Sequence, residues 1–202
     1  MQRREVLFAG VAAALGARLL TNAAEAQGAA PSHPLFGRND PSKYMHPKFG
    51  HGGAGTVSYM EITPRDRFKS QFLFIHRGVL QPKSGLGEHV HRKMEEMYFV
   101  LDNAACEFTV SGRTSILPGP AHALCPMGAS HGIYNPLDRP VEFMNIGVTL
   151  ENRQYDAVDF AKQNDLAERK IESPPPFLWN HISRDALREV PAYYNGKGTM
   201  WV

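Results

Sequence analysis

The sequence predicts an all-β fold closed into a single barrel. Between residues 55 and 150, short runs rich in β-branched and aromatic residues alternate with Gly, Pro, Asn and Asp turn signals, a spacing that suits a sandwich or barrel. No internal repeat divides that stretch, so one barrel is expected rather than two. The 202 residues, 43% of them hydrophobic, suffice for one large core.

The chain opens with a segment of different character. Residues 1–26 read as an export signal: Arg3-Arg4, an apolar run from Val6 to Leu20, and the small-residue site Ala24-Glu25-Ala26 before Gln27. That run is short for a membrane span, so no integral span is expected once the signal is removed. The paired arginines fit a twin-arginine signal, which exports proteins already folded and implies a periplasmic location. A general secretory signal or an uncleaved anchor are the alternatives. Removal of residues 1–26 takes away Arg3, Arg4 and Arg18 with Glu5 and Glu25, so the formal charge falls from +2 to +1. A near-neutral chain without a basic cluster argues against a nucleic-acid partner.

Residues 27–55, rich in Gly, Pro, Ser and His, read as an extended arm in which His46 and His51 are solvated loop residues. Barrel strands are expected over residues 56–62, 72–80, 87–91, 96–101, 105–110, 114–117, 121–125, 131–134 and 141–149. Beyond the barrel, Val158, Phe160, Ala161 and Leu166 suggest a helix over 155–170, which Pro174-Pro175-Pro176 would prevent from continuing. Ser183 is placed to cap a short helix through Glu189, stopped by Pro191. The tail 192–202, with Tyr193, Tyr194 and Trp201, is apolar enough to pack on its own barrel or on a neighbouring subunit. The organisation is therefore signal 1–26, arm 27–55, barrel 56–150 and a partly helical extension 151–202.

Four side chains within the barrel are spaced so that they could build one metal site. His89 and His91 share one face of an extended segment because the strand period is two. Glu96 begins the run Glu-Met-Tyr-Phe-Val-Leu, expected to pair antiparallel with the first strand and return the carboxylate to the histidines. Glu95 falls on the opposite face. The Pro126-Met127-Gly128 turn signal precedes His131, which would complete the cluster from across the barrel.

These residues resemble the two motifs of the cupin superfamily. The first is matched by Gly85 or Gly87, His89, His91 and Glu96, with Asn103 in place of its last glycine, and the second by Pro126, Gly128, His131 and Asn135. Gly85 stands closer to His89 than the pattern has it, and Asn103 would serve as a left-handed turn residue. The resemblance covers residues 71–149. It implies a cupin-type barrel (a double-stranded β-helix or jelly roll), one metal ion held by three histidines and one glutamate, and a homo-oligomer, a dimer being the simplest.

Four protein donors leave room on an octahedral ion for a substrate oxygen or dioxygen. The nitrogen and carboxylate set suits Fe²⁺ or Mn²⁺ first, with loading before export preserving either against the tighter-binding Cu²⁺ or Zn²⁺; Ni²⁺ also fits. Strand parity turns Tyr98 and Val100 inward with Glu96, where Tyr98 either hydrogen-bonds a substrate or fills the core. Parity from His131 turns Ile133 and Asn135 inward, Asn135 as a turn-stabilising residue. Either His76, as a base, or Arg77, as an anion clamp, faces the cavity. The leading expectation is a dioxygenase-like oxidoreductase acting on a small oxygen-bearing molecule. A lyase or isomerase, and a binding protein without turnover, are the alternatives. Cys106 and Cys125 are expected as free buried thiols, although an exported protein permits a disulfide between them.

Overall fold

The computed structural model describes residues 38–160, 169–192 and 196–202. The export signal, the start of the arm, residues 161–168 of the expected 155–170 helix and the Tyr193-Tyr194 pair lie outside the described residues. No helix among the described residues is long and apolar enough to cross a membrane.

The strands are β1 (Val57–Glu61), β2 (Phe72–Leu80), β3 (Ser84–Val90), β4 (Met94–Val100), β5 (Ala105–Val110), β6 (Arg113–Pro118), β7 (Ala121–Cys125), β8 (Ser130–Asn135) and β9 (Val141–Thr149). Shorter ones follow: β10 (Val158–Asp159), β11 (Ile171–Glu172), β12 (Trp179–His181), β13 (Glu189–Pro191) and β14 (Thr199–Trp201). One six-stranded sheet runs β1-β2-β9-β4-β7-β12 and the other β10-β3-β8-β5-β6-β11. This is the single all-β barrel that the sequence predicts. Burial alternates along β4, β7 and β9, as expected of strands with one face inward. Tyr98, Val100 and Phe143 from one sheet meet Cys106, Phe108 and Ile133 from the other in a shared core.

The pairing of β3 and β4 differs from the expected hairpin. The two strands belong to opposite sheets, and residues 91–93 form an arch that carries the chain across the barrel. Three residues are too short a sequence to distinguish an arch from a hairpin. His131, expected from across the barrel, instead lies on the neighbouring strand, directly opposite His89 in the β3–β8 register. Glu96 is the ligand that crosses.

The extension is also corrected. Val158–Asp159 adds to the edge of β3, against Val90 and His89, so the start of the expected helix is extended chain. Apolar residues at helical spacing did not prevail over an unpaired strand edge with free N–H and C=O groups. The region from Ser183 holds only a one-turn 3₁₀ segment, Arg184–Ala186, with no side-chain cap, and then β13. The described end of the tail, β14, pairs with β13 in the segment just before it, and Trp201 remains 62% exposed. Asn103 is not left-handed; Ser111 and Gly112 occupy that region at the β5–β6 turn. Both cysteines are free and buried.

Candidate metal centre

Each ligand is positioned by local backbone. In β3, the residues from Leu86 to His89 oppose only Ile133 to His131 on β8, which marks a β-bulge with one extra residue. The bulge resets the parity, so Leu86 and His89 both line the cavity. After β7, Ala129 N–H donates to Pro126 O at 3.0 Å, and Gly128 at φ 79° supplies the positive angle of a type II turn. Gly128 N–H also donates to the His91 carbonyl at 2.7 Å, tying the second motif to the first.

His89, His91, Glu96 and His131 converge, their ligand atoms all within 4.8 Å of one another and all four residues buried. His131 Nε2 stands 3.2 Å from Glu96 Oε2, and His91 Nε2 3.5 Å from Glu96 Oε1. The other ring nitrogens face backbone carbonyls: His89 Nδ1 to Gly87 O at 2.9 Å, His131 Nδ1 to Ala129 O at 3.3 Å, and His91 Nδ1 to Asp156 O. A carbonyl only accepts, so each Nδ1 carries the proton, and a neutral ring then turns the Nε2 lone pair toward Glu96. Three such lone pairs beside a carboxylate repel one another unless a cation sits among them, and His91 Nε2 is buried without a hydrogen-bond partner. The residues fit a divalent metal ion. Glu95 is exposed on the outer face.

The donors open onto a cavity of about 260 Å³. Tyr98 lines it and is 1% exposed; burial first, then the Glu96 charge, pushes its phenol well above the usual range. His76, not Arg77, faces inward, its ring stacked on Phe74 at 4.2 Å and tilted against Tyr59 at 4.6 Å. Burial lowers its pKa to about 4, opposed by the Glu96 charge and by Asn145. Arg77 is turned away and paired with Glu142 at 2.5 Å. Ile133 is fully buried in the core. The Asn135 side chain reaches the carbonyls of Leu80, Gln81 and Arg139 and accepts from Leu137 N–H, the turn-stabilising role expected of it.

Sequence reasoning missed the residues that cover the centre. His51, assigned to solvent, stacks on His89 with centroids 3.7 Å apart and planes 6° from parallel. Its Nδ1 lies 2.6 Å from Asp159 Oδ1, and its Nε2 lies 2.8 Å from the Tyr155 hydroxyl. These contacts hold His51 at φ 54°, a sparsely populated backbone region for a non-glycine residue. Asp156 accepts His91 Nδ1 with its carbonyl, while its carboxylate accepts Arg92 N–H at 2.7 Å and Lys93 N–H at 3.3 Å. The 155–160 segment is thus a strap, closed by Phe160 N–H donating to Glu88 O at 2.8 Å. The strap residues are remote from the motifs in sequence; the one signal was the aromatic and acidic cluster Tyr155-Asp156 and Asp159-Phe160.

No family model matches the chain, and no curated protein matches it. Solved structures do. A predicted oxalate decarboxylase from Thermotoga maritima is 22% identical over 56% of this chain and 99% of its own, with a TM-score of 0.52, a likeness in fold. A polyketide cyclase from Streptomyces resistomycificus is 15% identical over 63% of this chain and 87% of its own, with a TM-score of 0.48. A cupin 2 conserved barrel domain protein from Salinispora arenicola is 17% identical over 61% and 92%, with a TM-score of 0.41.

Proposed function

We propose that this chain is a metal-dependent oxidoreductase in which His89, His91, Glu96 and His131 hold Fe²⁺ or Mn²⁺ beside a small oxygen-bearing substrate. The observation that carries the reading is the convergence of four buried donors at one side of a cavity with aromatic walls. When bound, such an ion offers open positions for a substrate oxygen and for dioxygen. The chain's own residues do the rest. Phe74, Leu86 and Phe143 displace water from the cavity. Tyr98 stays protonated near neutral pH and is able to donate a hydrogen bond to a bound oxygen atom. His76, neutral at the same pH, accepts a proton or a hydrogen bond from the substrate.

A second reading is favoured by His76 itself, since a neutral base inside the cavity suits a lyase or isomerase that moves a proton without oxygen. Turnover under strict anaerobiosis separates the two. The oxidative reading expects product formation to stop and to resume when air is readmitted. Undiminished anaerobic product would overturn it in favour of proton transfer, and saturable binding without substrate loss would leave a binding protein.

Export through Arg3-Arg4 belongs to the same proposal, because loading before export protects a weakly bound ion from displacement by copper or zinc. Arg3→Lys with Arg4→Lys is expected to abolish periplasmic accumulation while the folded protein remains in the cell interior. Unchanged accumulation in fractionated cells would count against the twin-arginine route.

A further inference from the structure

We infer that the substrate is a compact ring-bearing molecule that meets the metal site through one oxygenated edge and carries no charge at its far end. This rests on the functional reading above and narrows it.

The walls set the shape. Tyr59, Phe74, Phe143 and Tyr155 surround the cavity, and aromatic faces favour a flat partner by offset or edge contact. At about 260 Å³ it is below the roughly 300–1,000 Å³ of sites that take drug-sized ligands.

The polar groups set the charge. Among the described residues, no lysine or arginine lines the cavity, and Arg77, the one arginine on β2, is occupied by Glu142 on the outer side. The polar side chains of the wall formed by β2 and β9 are His76 and Asn145, opposite each other in register, and neither carries a charge near neutral pH. Asn145 Oδ1 is buried beside His76, its partner in register, and has no other hydrogen-bond partner, so it is able to accept from a substrate hydroxyl. An anionic far end would be buried against aromatic rings with no counter-ion, an expensive arrangement. At the metal the balance differs. A divalent ion less the Glu96 charge leaves one positive unit, enough for one ionised substrate oxygen. The same unit repels an organic cation that aromatic walls would otherwise attract. Phosphate esters and dicarboxylates are therefore excluded.

The test uses the full chain with the metal it retains on purification, titrated calorimetrically with catechol and with 3,4-dihydroxybenzoate. The two present the same metal-facing edge, but the second adds a carboxylate on the far side of the ring. Catechol is expected to bind more tightly by about tenfold or more. Equal or tighter binding of the carboxylate, or tighter binding of oxalate or phenyl phosphate than of catechol, overturns the inference. Tyr59→Arg places a cation beside His76 and is expected to narrow or reverse the preference; an unaltered ratio in the folded variant also counts against it. Should Tyr59→Arg fail to fold, the wild-type pair of ligands decides alone. A chain that retains no metal and binds neither compound would instead remove the functional reading itself.

Discussion

His91→Ala is expected to lower metal affinity by about 100-fold or more, and Glu95→Ala to leave it unchanged. Loss of groups that merely orient a ligand costs about 10–100-fold, so loss of the ligand itself lies at or beyond the upper end. His91 Nε2 is buried with no other hydrogen-bond partner, 3.5 Å from Glu96 Oε1. Alanine there removes one of four donors, leaves the Asp156 carbonyl without its imidazole, and exposes Glu96 to one histidine fewer. Glu95, one residue from Glu96 in sequence, points to the outer face opposite Val148. Elemental analysis of the purified variants and competition with a chelator read the difference. Equal losses in the two variants would mean that the β4 register is shifted by one residue.

Asp156→Ala comes next in size, at about 10–100-fold in metal affinity. The residue touches no metal, but its carboxylate holds the N–H groups of Arg92 and Lys93 in the arch that separates His91 from Glu96. Without those bonds, the arch loses what fixes the distance between His91, at its start, and Glu96 on β4. Asp156→Asn keeps one acceptor oxygen and is expected to fall between alanine and wild type. A purely structural role would shift the urea midpoint of the metal-free protein in proportion. The expectation here is a large change in chelator competition with a small change in that midpoint.

The legible parts of the sequence were those governed by short-range rules. Strand period placed His89, His91, Glu96 and Tyr98 inward and Glu95 outward, and burial agrees at each position. The spans of β2, β5, β7 and β9 coincide with the expected ones because turn residues flank them on both sides. What was not legible depends on long-range partners. Residues 91–93 carry no mark of which sheet β4 joins. His51 and Tyr155 are 104 positions apart, and no local pattern in the arm announces a ring stacked on His89. Val158 was read by its helical spacing, yet an open edge on β3 decided its conformation.

The strap also sets an order of events in the life of the chain. Synthesis runs from the N-terminus, so all four ligands are made before Asp156, whose carbonyl fixes the His91 ring, and before Phe160, which fastens the segment to Glu88. A nascent or prematurely terminated chain that stops short of residue 156 has every donor but not the contact that aims one of them. The final aim of the His91 ring is therefore set by chain made after the barrel, not by the barrel alone.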